Sequence, residues 1–118
     1  MELFVNNIDK SMEFYSNVLG FNLPKDTNKN YIPVRRGDVV LGLGEMENLP
    51  REHPLRVHEG QSVGLGIEIV LEVDDIKDFY NGVVAKGYPI RTKLTKRPWG
   101  LMDFRIIDPD GYYIRITS

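Results

Sequence analysis

Hydrophobic positions along this chain switch between two periods, and they do so twice. In the first half an apolar stretch ending at Val5 runs into Asn6-Asn7, and apolar residues then recur at helical spacing as Met12, Tyr15 and Leu19, with Phe14 and Val18 beside them. In the second half Val73 runs into Asp74-Asp75, followed by Ile76, Phe79, Tyr80, Val83 and Val84 at the same spacing. The Asn and Asp residues suit helix N-caps, because a short side-chain oxygen accepts from a backbone N–H that the first turn leaves unpaired. Gly20 and Gly87 fall where a helix stops in a left-handed residue. After each helix the period drops to two. Tyr31–Val34 and Asp38–Leu43 read as strands about an Arg35-Arg36-Gly37-Asp38 turn, and Pro89–Leu94, Leu101–Ile107 and Tyr112–Thr117 read as strands in the second half. Asp108-Pro109-Asp110-Gly111 is a strong turn signal between the last two.

The two halves resemble copies. Val5-Asn6-Asn7-Ile8, Phe14-Tyr15 and Gly20-Phe21 recur as Val73-Asp74-Asp75-Ile76, Phe79-Tyr80 and Gly87-Tyr88 about 65–68 residues later. The intervening segment carries Pro50, Pro54, Gly60 and many charges, and reads as a linker. The expected organisation is one domain, 1–118, built from a first module over about 1–46, a linker over about 47–64 and a second module over about 65–118. Each module runs β, α, β, β with room for one more strand. A helix covers one face of such a sheet and leaves the other open, so two modules are expected to enclose a cup between their open faces.

Composition narrows the function. With 118 residues and 42% hydrophobic content the chain can bury a core without covalent staples, and it has no cysteine. That excludes disulfides, thiolate nucleophiles and cysteine-based zinc fingers, and suits a reducing compartment such as the cytoplasm. Fifteen basic against seventeen acidic residues leave a net charge of −2, too little positive field for nucleic acid. No apolar stretch approaches the ~20 residues of a spanning helix, and the N-terminus has no signal-peptide pattern, so neither a membrane nor secretion is expected. His53 and His58, the only histidines, sit in the linker beside Pro54 and read as exposed loop residues. No Ser-His-Asp order and no phosphate-loop glycine spacing is present.

Strand alternation sorts the remaining candidates by face. Ile67, Ile69, Leu71 and Val73 share the face that suits the helix, leaving Glu68, Val70 and Glu72 on the other. Ile114 and Ile116 point inward, while Tyr113, Arg115 and Thr117 point to the cup. Trp99, between Pro98 and Gly100, either stacks on a planar ligand at the rim or closes the core under the hairpin. Tyr31, Met102, Phe104 and Tyr113 are candidates for the cup wall, with a core role as the alternative for each. Arg91, Lys93, Lys96 and Arg97 either neutralise an anionic ligand or form a solvated strand edge.

Two runs resemble a known family. Asn6 to Phe21 (NNIDKSMEFYSNVLGF) and Arg97 to Gly111 (RPWGLMDFRIIDPDG) are similar to the vicinal oxygen chelate superfamily of glyoxalases, bleomycin- and fosfomycin-resistance proteins and extradiol dioxygenases. The resemblance spans nearly the whole chain and leans toward the small bleomycin-resistance-like branch. It implies an α+β fold of two βαβββ modules forming a cup-shaped mixed sheet with helices on the outer face, and commonly a homodimer. In the family's enzymes a divalent metal is held by His or Glu on the first and last strands of each module. Carried onto this chain, those positions are Glu68, Arg115 and Gly42, and the fourth precedes Met1. A guanidinium has no lone pair to donate and repels a cation. An ion pair between Glu68 and Arg115 is therefore expected where the family places its metal.

The expected function is metal-free binding of a small molecule, without a cofactor, by Glu68, Arg115, Trp99, Tyr113, Phe104, Met102 and Tyr31. One alternative is a divalent-metal-dependent lyase, isomerase, transferase or dioxygenase, with Glu68 as one ligand and Glu2, Glu45 or a linker histidine as others. Another is a structural or regulatory dimer whose cup is filled by side chains.

Overall fold

A computed structural model describes residues 1–118. The chain divides into two compact units, Met1–Ser62 and Val63–Ser118. The first unit contains β1 (Glu2–Val5), α1 (Ile8–Glu13), β2 (Tyr31–Arg36) and β3 (Val39–Glu45). The second contains β4 (Glu68–Glu72), α2 (Ile76–Ala85), β5 (Thr92–Lys96), β6 (Met102–Ile107) and β7 (Tyr113–Thr117). Their sheets are three-stranded, in the order β1-β3-β2, and four-stranded, in the order β4-β7-β6-β5. In each, the opening strand pairs parallel to the last, and the others pair antiparallel. The second unit thus carries the full βαβββ pattern and the first one strand fewer.

Both helices start on the expected caps. The Asn7 side chain accepts from the Lys10 N–H at 3.0 Å, and that of Asp75 from the Asp78 N–H at 3.0 Å. Gly20 and Gly87 stop the helical segments at φ of 76° and 75°, a conformation that costs a residue with a Cβ. The first helix departs from the expected winding, because Phe14–Val18 forms a π-helix rather than further α-turns. The wider turn closes with the Leu19 N–H donating to the Phe14 carbonyl. Tyr15 is then fully buried, with its ring edge-on to both Phe14 and Phe21. Asp75→Ala removes the second cap and is expected to cost about 1 kcal/mol, read as a lower urea midpoint with an unchanged slope.

Each unit buries one face of its sheet. In the first, Leu3, Val5, Ile32, Val34, Leu41 and Leu43 are buried together with Phe14, Tyr15 and Leu19. In the second, Ile69, Leu71, Ile106, Ile114 and Ile116 are buried with Ile76 and Val83. Two residues assigned to core faces are exposed instead. Ile67 lies before β4 begins, where no strand pairing turns it inward, and Val84 lies beyond the buried stripe of α2.

The Asp108–Gly111 turn is built on one carboxylate. Asp108 Oδ1 accepts from the backbone N–H groups of Asp110, Gly111 and Tyr112 at 2.8–2.9 Å, and Gly111 takes a φ of 111°. This buried acceptor sets the start of β7 and hence the positions of Tyr113 and Arg115. No helix is long and apolar enough to cross a membrane.

Candidate functional site

The open face of the second unit's sheet carries a connected set of charges. Cross-strand register places Arg105 of β6 directly opposite Arg115 of β7, and Val70 of β4 opposite Arg115 on its other side. Two guanidinium groups facing each other across a ladder repel unless an anion comes between them. Glu68 supplies it. Its Oε1 lies 3.1 Å from Arg115 Nε and its Oε2 accepts from Arg105 Nε at 3.4 Å. The Arg115 contact is an ion pair without an aligned hydrogen bond, since that buried Nε has no hydrogen-bonding partner. The Glu68–Arg115 pair expected from alternation is therefore present, joined by a third member.

The cluster continues through Asp103, which is 1% exposed. Its Oδ1 accepts from Arg97 Nε and Arg105 Nη1, each at 2.9 Å, while its Oδ2 is buried without a partner. Burial alone pushes this carboxyl upward. The hydrogen bond from Arg97, with the charges of Arg105, Arg97 and Arg115, outweighs burial and holds it below its ordinary value of 3.8. It is therefore a carboxylate at neutral pH. Three arginines against two carboxylates leave this contacting cluster with an excess positive charge, while Glu72 on the same face of β4 stands outside it.

Beside this cluster, at the ends of β4 and β7, lies a cavity of about 490 Å³. Val63, Leu65, Ile67 and Tyr113 give it apolar walls, and Glu68 reaches it from the charged side. A recess with apolar walls and few polar groups is the usual form of a small-molecule site.

The other candidates scatter. Phe104, assigned to the cup wall, is fully buried on the opposite face of the sheet, with its ring edge-on to Tyr80 of α2 at 4.9 Å and tilted against Phe79 at 6.4 Å. Met102 precedes it by two residues in β6 and so shares that helix-covered face. Phe104 is corrected to a core position, because alternation through Ile106 ties it to Ile114 and Ile116, while Met102 at the start of the strand is only partly buried. Trp99 is 61% exposed in the turn between β5 and β6, which excludes the core reading. Tyr31 belongs to the first unit, where its half-exposed ring lies over Gly42 closely enough to occupy the place of a Cβ there. A ligating side chain at Gly42 would require that ring to move.

Asp103 and Arg105 were missed as site residues. The signal was available in β6, whose Asp103 and Arg105 alternate with Phe104 and Ile106 and so share the open face. Arg97, read only as part of a basic run, is committed to Asp103.

The donor set of this unit does not fit a divalent cation. Glu68 is the one carboxylate at a position where the resemblance implies a metal ligand, and two guanidinium groups hold it. No three His, Asp or Glu side chains converge on a point.

A model of the glyoxalase/bleomycin resistance protein/dioxygenase superfamily matches residues 1–116. No curated protein sequence matches the chain. Among solved structures, TioX from Micromonospora sp. ML1 superposes with a TM-score of 0.79 at 19% identity, over 100% of this chain and 94% of its own. A lactoylglutathione lyase from Agrobacterium tumefaciens gives 0.75 at 18% identity, over 99% and 89%. A superfamily member from Sphaerobacter thermophilus DSM 20745 gives 0.72 at 22%, over 99% and 92%. These similarities show a shared fold, with a substrate left to each site's own chemistry. With the family's model covering all but its last two residues, the chain belongs to the glyoxalase/bleomycin resistance protein/dioxygenase superfamily.

Proposed function

We propose that this protein binds a small amphipathic molecule without a metal or other cofactor, as a homodimer in a reducing, cytoplasmic compartment. The observation that carries the reading is the cavity between Val63 and Tyr113, with apolar walls and one charged lining residue, Glu68, which is itself paired with Arg115 and Arg105 behind it. The apolar part of the ligand packs against Leu65, Ile67 and Tyr113 of the cavity, and an anionic or hydrogen-bond-accepting group extends beyond its lining, past Glu68, to Arg115. Glu68 orients that guanidinium while keeping part of its own surface in solvent. Trp99 offers an exposed aromatic face on the same unit. Tyr31 lies in the other unit, and Phe104 and Met102 act only by supporting the sheet from behind.

The test is a thermal-shift and Trp99-fluorescence screen of planar aromatic acids, with each hit repeated on Arg115→Ala. A ligand at 100 times its Kd is expected to stabilise the fold by about 2.7 kcal/mol, a shift of several degrees. Arg115→Ala is expected to weaken such binding at least about tenfold, the loss of one charge-assisted hydrogen bond. Titration with Mn²⁺, Ni²⁺ and Zn²⁺ accompanies the screen. Stoichiometric metal binding that disappears in Glu68→Ala would overturn the metal-free reading and leave an enzyme of the superfamily.

A further inference from the structure

The hairpin of β5 and β6 carries a segregation of charge that neither the cavity nor the Glu68 cluster uses. Residues 79–102 hold five of the chain's fifteen basic residues and none of its seventeen acidic ones. Of the five, Arg97 is committed to Asp103, whereas Arg91, Lys93 and Lys96 are exposed and pair with no carboxylate. At the tip stands Trp99, the only tryptophan, 61% exposed and flanked by the exposed Pro98 and Leu101. We propose that this hairpin docks on a phospholipid bilayer bearing anionic headgroups, with Trp99 and Leu101 entering the interface and the three free cations lying against the phosphates.

The tip holds its indole outward on a fixed turn. The Gly100 N–H donates to the Arg97 carbonyl at 3.0 Å, and the Arg97 N–H to the Leu101 carbonyl at 2.8 Å. Gly100 takes a φ of 93°, and a Cβ there would meet nothing, so the turn stands clear on that side. The Arg97 side chain pins the root of the turn, with Nε donating to Asp103 Oδ1 at 2.9 Å. Trp99 stacks on no other ring. An anchor already ordered in this way loses little freedom on docking. Tryptophan suits a bilayer interface in particular, because its ring is apolar while its N–H stays hydrated.

The cations follow directly behind that anchor. Lys96 and Lys93 stand three and six residues before Trp99, on a strand that closes the sheet and pairs only with β6. Lysines on such an edge, with the irregular register between Thr92 and Thr95, also discourage strand-to-strand aggregation. That role accounts for the charges and leaves the uncovered indole unexplained. An anionic lipid surface accounts for both, since the apolar tip suits the acyl boundary and the cations suit the headgroups. Screening over about 8 Å confines the attraction to the hairpin, so the acidic balance of the rest of the chain does not cancel it. Three cations and two apolar side chains give a reversible, salt-dependent contact, which needs no membrane-spanning helix. It does not depend on Glu68, Arg115 or the cavity beside Tyr113.

The test is co-sedimentation of the full chain with vesicles of phosphatidylcholine alone and of equal parts phosphatidylcholine and phosphatidylglycerol. Emission from Trp99 is followed in the same samples, and the single indole reports on the tip directly. The expected result is binding to the mixed vesicles only, with a blue shift, protection from acrylamide and release at about 0.5 M salt. The double variant Lys93→Gln, Lys96→Gln is expected to partition about 25-fold less, at about fivefold per cation. Trp99→Ala, read by co-sedimentation, is expected to lose on the order of tenfold. Lys10→Gln, an equal change of charge on α1, is expected to lose nothing, and circular dichroism checks that each variant is folded. Absence of binding at about 1 mM mixed lipid would overturn the proposal. So would equal binding to neutral vesicles, binding that leaves Trp99 fully quenched by acrylamide, or binding unchanged in the double lysine variant. Capture of polyglutamate or single-stranded DNA in place of the vesicles would also overturn it, and would make the hairpin a site for a soluble polyanion.

Discussion

Phe104→Ala is expected to cost about 3–5 kcal/mol, a large share of the ~5–15 kcal/mol by which a domain of this size exceeds its unfolded state. Phe104 is fully buried, and its ring makes an edge-on contact with Tyr80 and a tilted one with Phe79. It is the main aromatic link between α2 and the sheet. Truncation forfeits the transfer energy of a phenyl group and both ring contacts, and it leaves a void that the strands on either side cannot close without bending. Urea denaturation should show a much lower midpoint, and amide exchange in α2 should accelerate together with that of β6. Phe104→Leu, which refills part of the space, should cost clearly less. A Phe104→Ala protein with a normal midpoint but no ligand binding would contradict the core assignment and return this ring to the ligand's side of the sheet.

Asp103→Ala is expected to be the most damaging substitution among the charged residues. The carboxylate is 1% exposed, and Arg97 and Arg105 both donate to its Oδ1 at 2.9 Å. Removing it leaves two guanidinium groups facing each other, with Arg115 opposite Arg105 across the ladder. The arginines keep side-chain exposures of 19–28% and can turn toward water, so the cost falls below that of breaking a fully buried pair, at about 2 kcal/mol. The same carboxylate gives stability a pH dependence of definite sign. Its folded pKa lies below the ordinary 3.8, so the native state binds its proton less readily than the unfolded chain does. Its contribution is complete above about pH 5 and is lost as pH falls below 3.8 toward the folded value. Acid titration of wild type and Asp103→Asn should therefore converge at low pH. Curves that stay parallel down to the acid transition would show that Asp103 is not the titrating group.

The two substitutions separate the roles of β6. Phe104 and Ile106 anchor one side of the strand to the helix, and Asp103 and Arg105 organise the other. Arg115 does not stand alone on its face of the sheet. It is one of three cations held by two anions, and Glu68 is shared between two of them. A single change at Glu68 therefore exposes a repulsion between Arg105 and Arg115 as well as removing one partner of each.

Much of this was legible in local patterns. The two caps at Asn7 and Asp75, the helix stops at Gly20 and Gly87 and the Asp108–Gly111 turn each depend on a few neighbouring residues, whose chemistry the chain states directly. Alternation in β4 and β7 placed Glu68, Tyr113 and Arg115 on one face, because a strand's side chains point to opposite sides in strict succession. The same rule applied to β6 separates Phe104 from Asp103. Reading a large aromatic residue as ligand surface obscures it, and Phe104 is misplaced for that reason.

What the sequence alone determined, then, is which residues start and stop each element and which side of its own strand each residue takes. Only the tertiary structure decided which of them meet. The Arg97–Asp103 contact joins a turn to a strand, Glu68 reaches from β4 past β7 to Arg105 on β6, the Tyr31 ring covers a glycine on the neighbouring strand, and Arg56 folds the segment after β3 back on itself. Each of these depends on the register between strands or on the path of a loop. Periodicity within one strand carries no information about register, because the same alternation is compatible with any even shift of its neighbour.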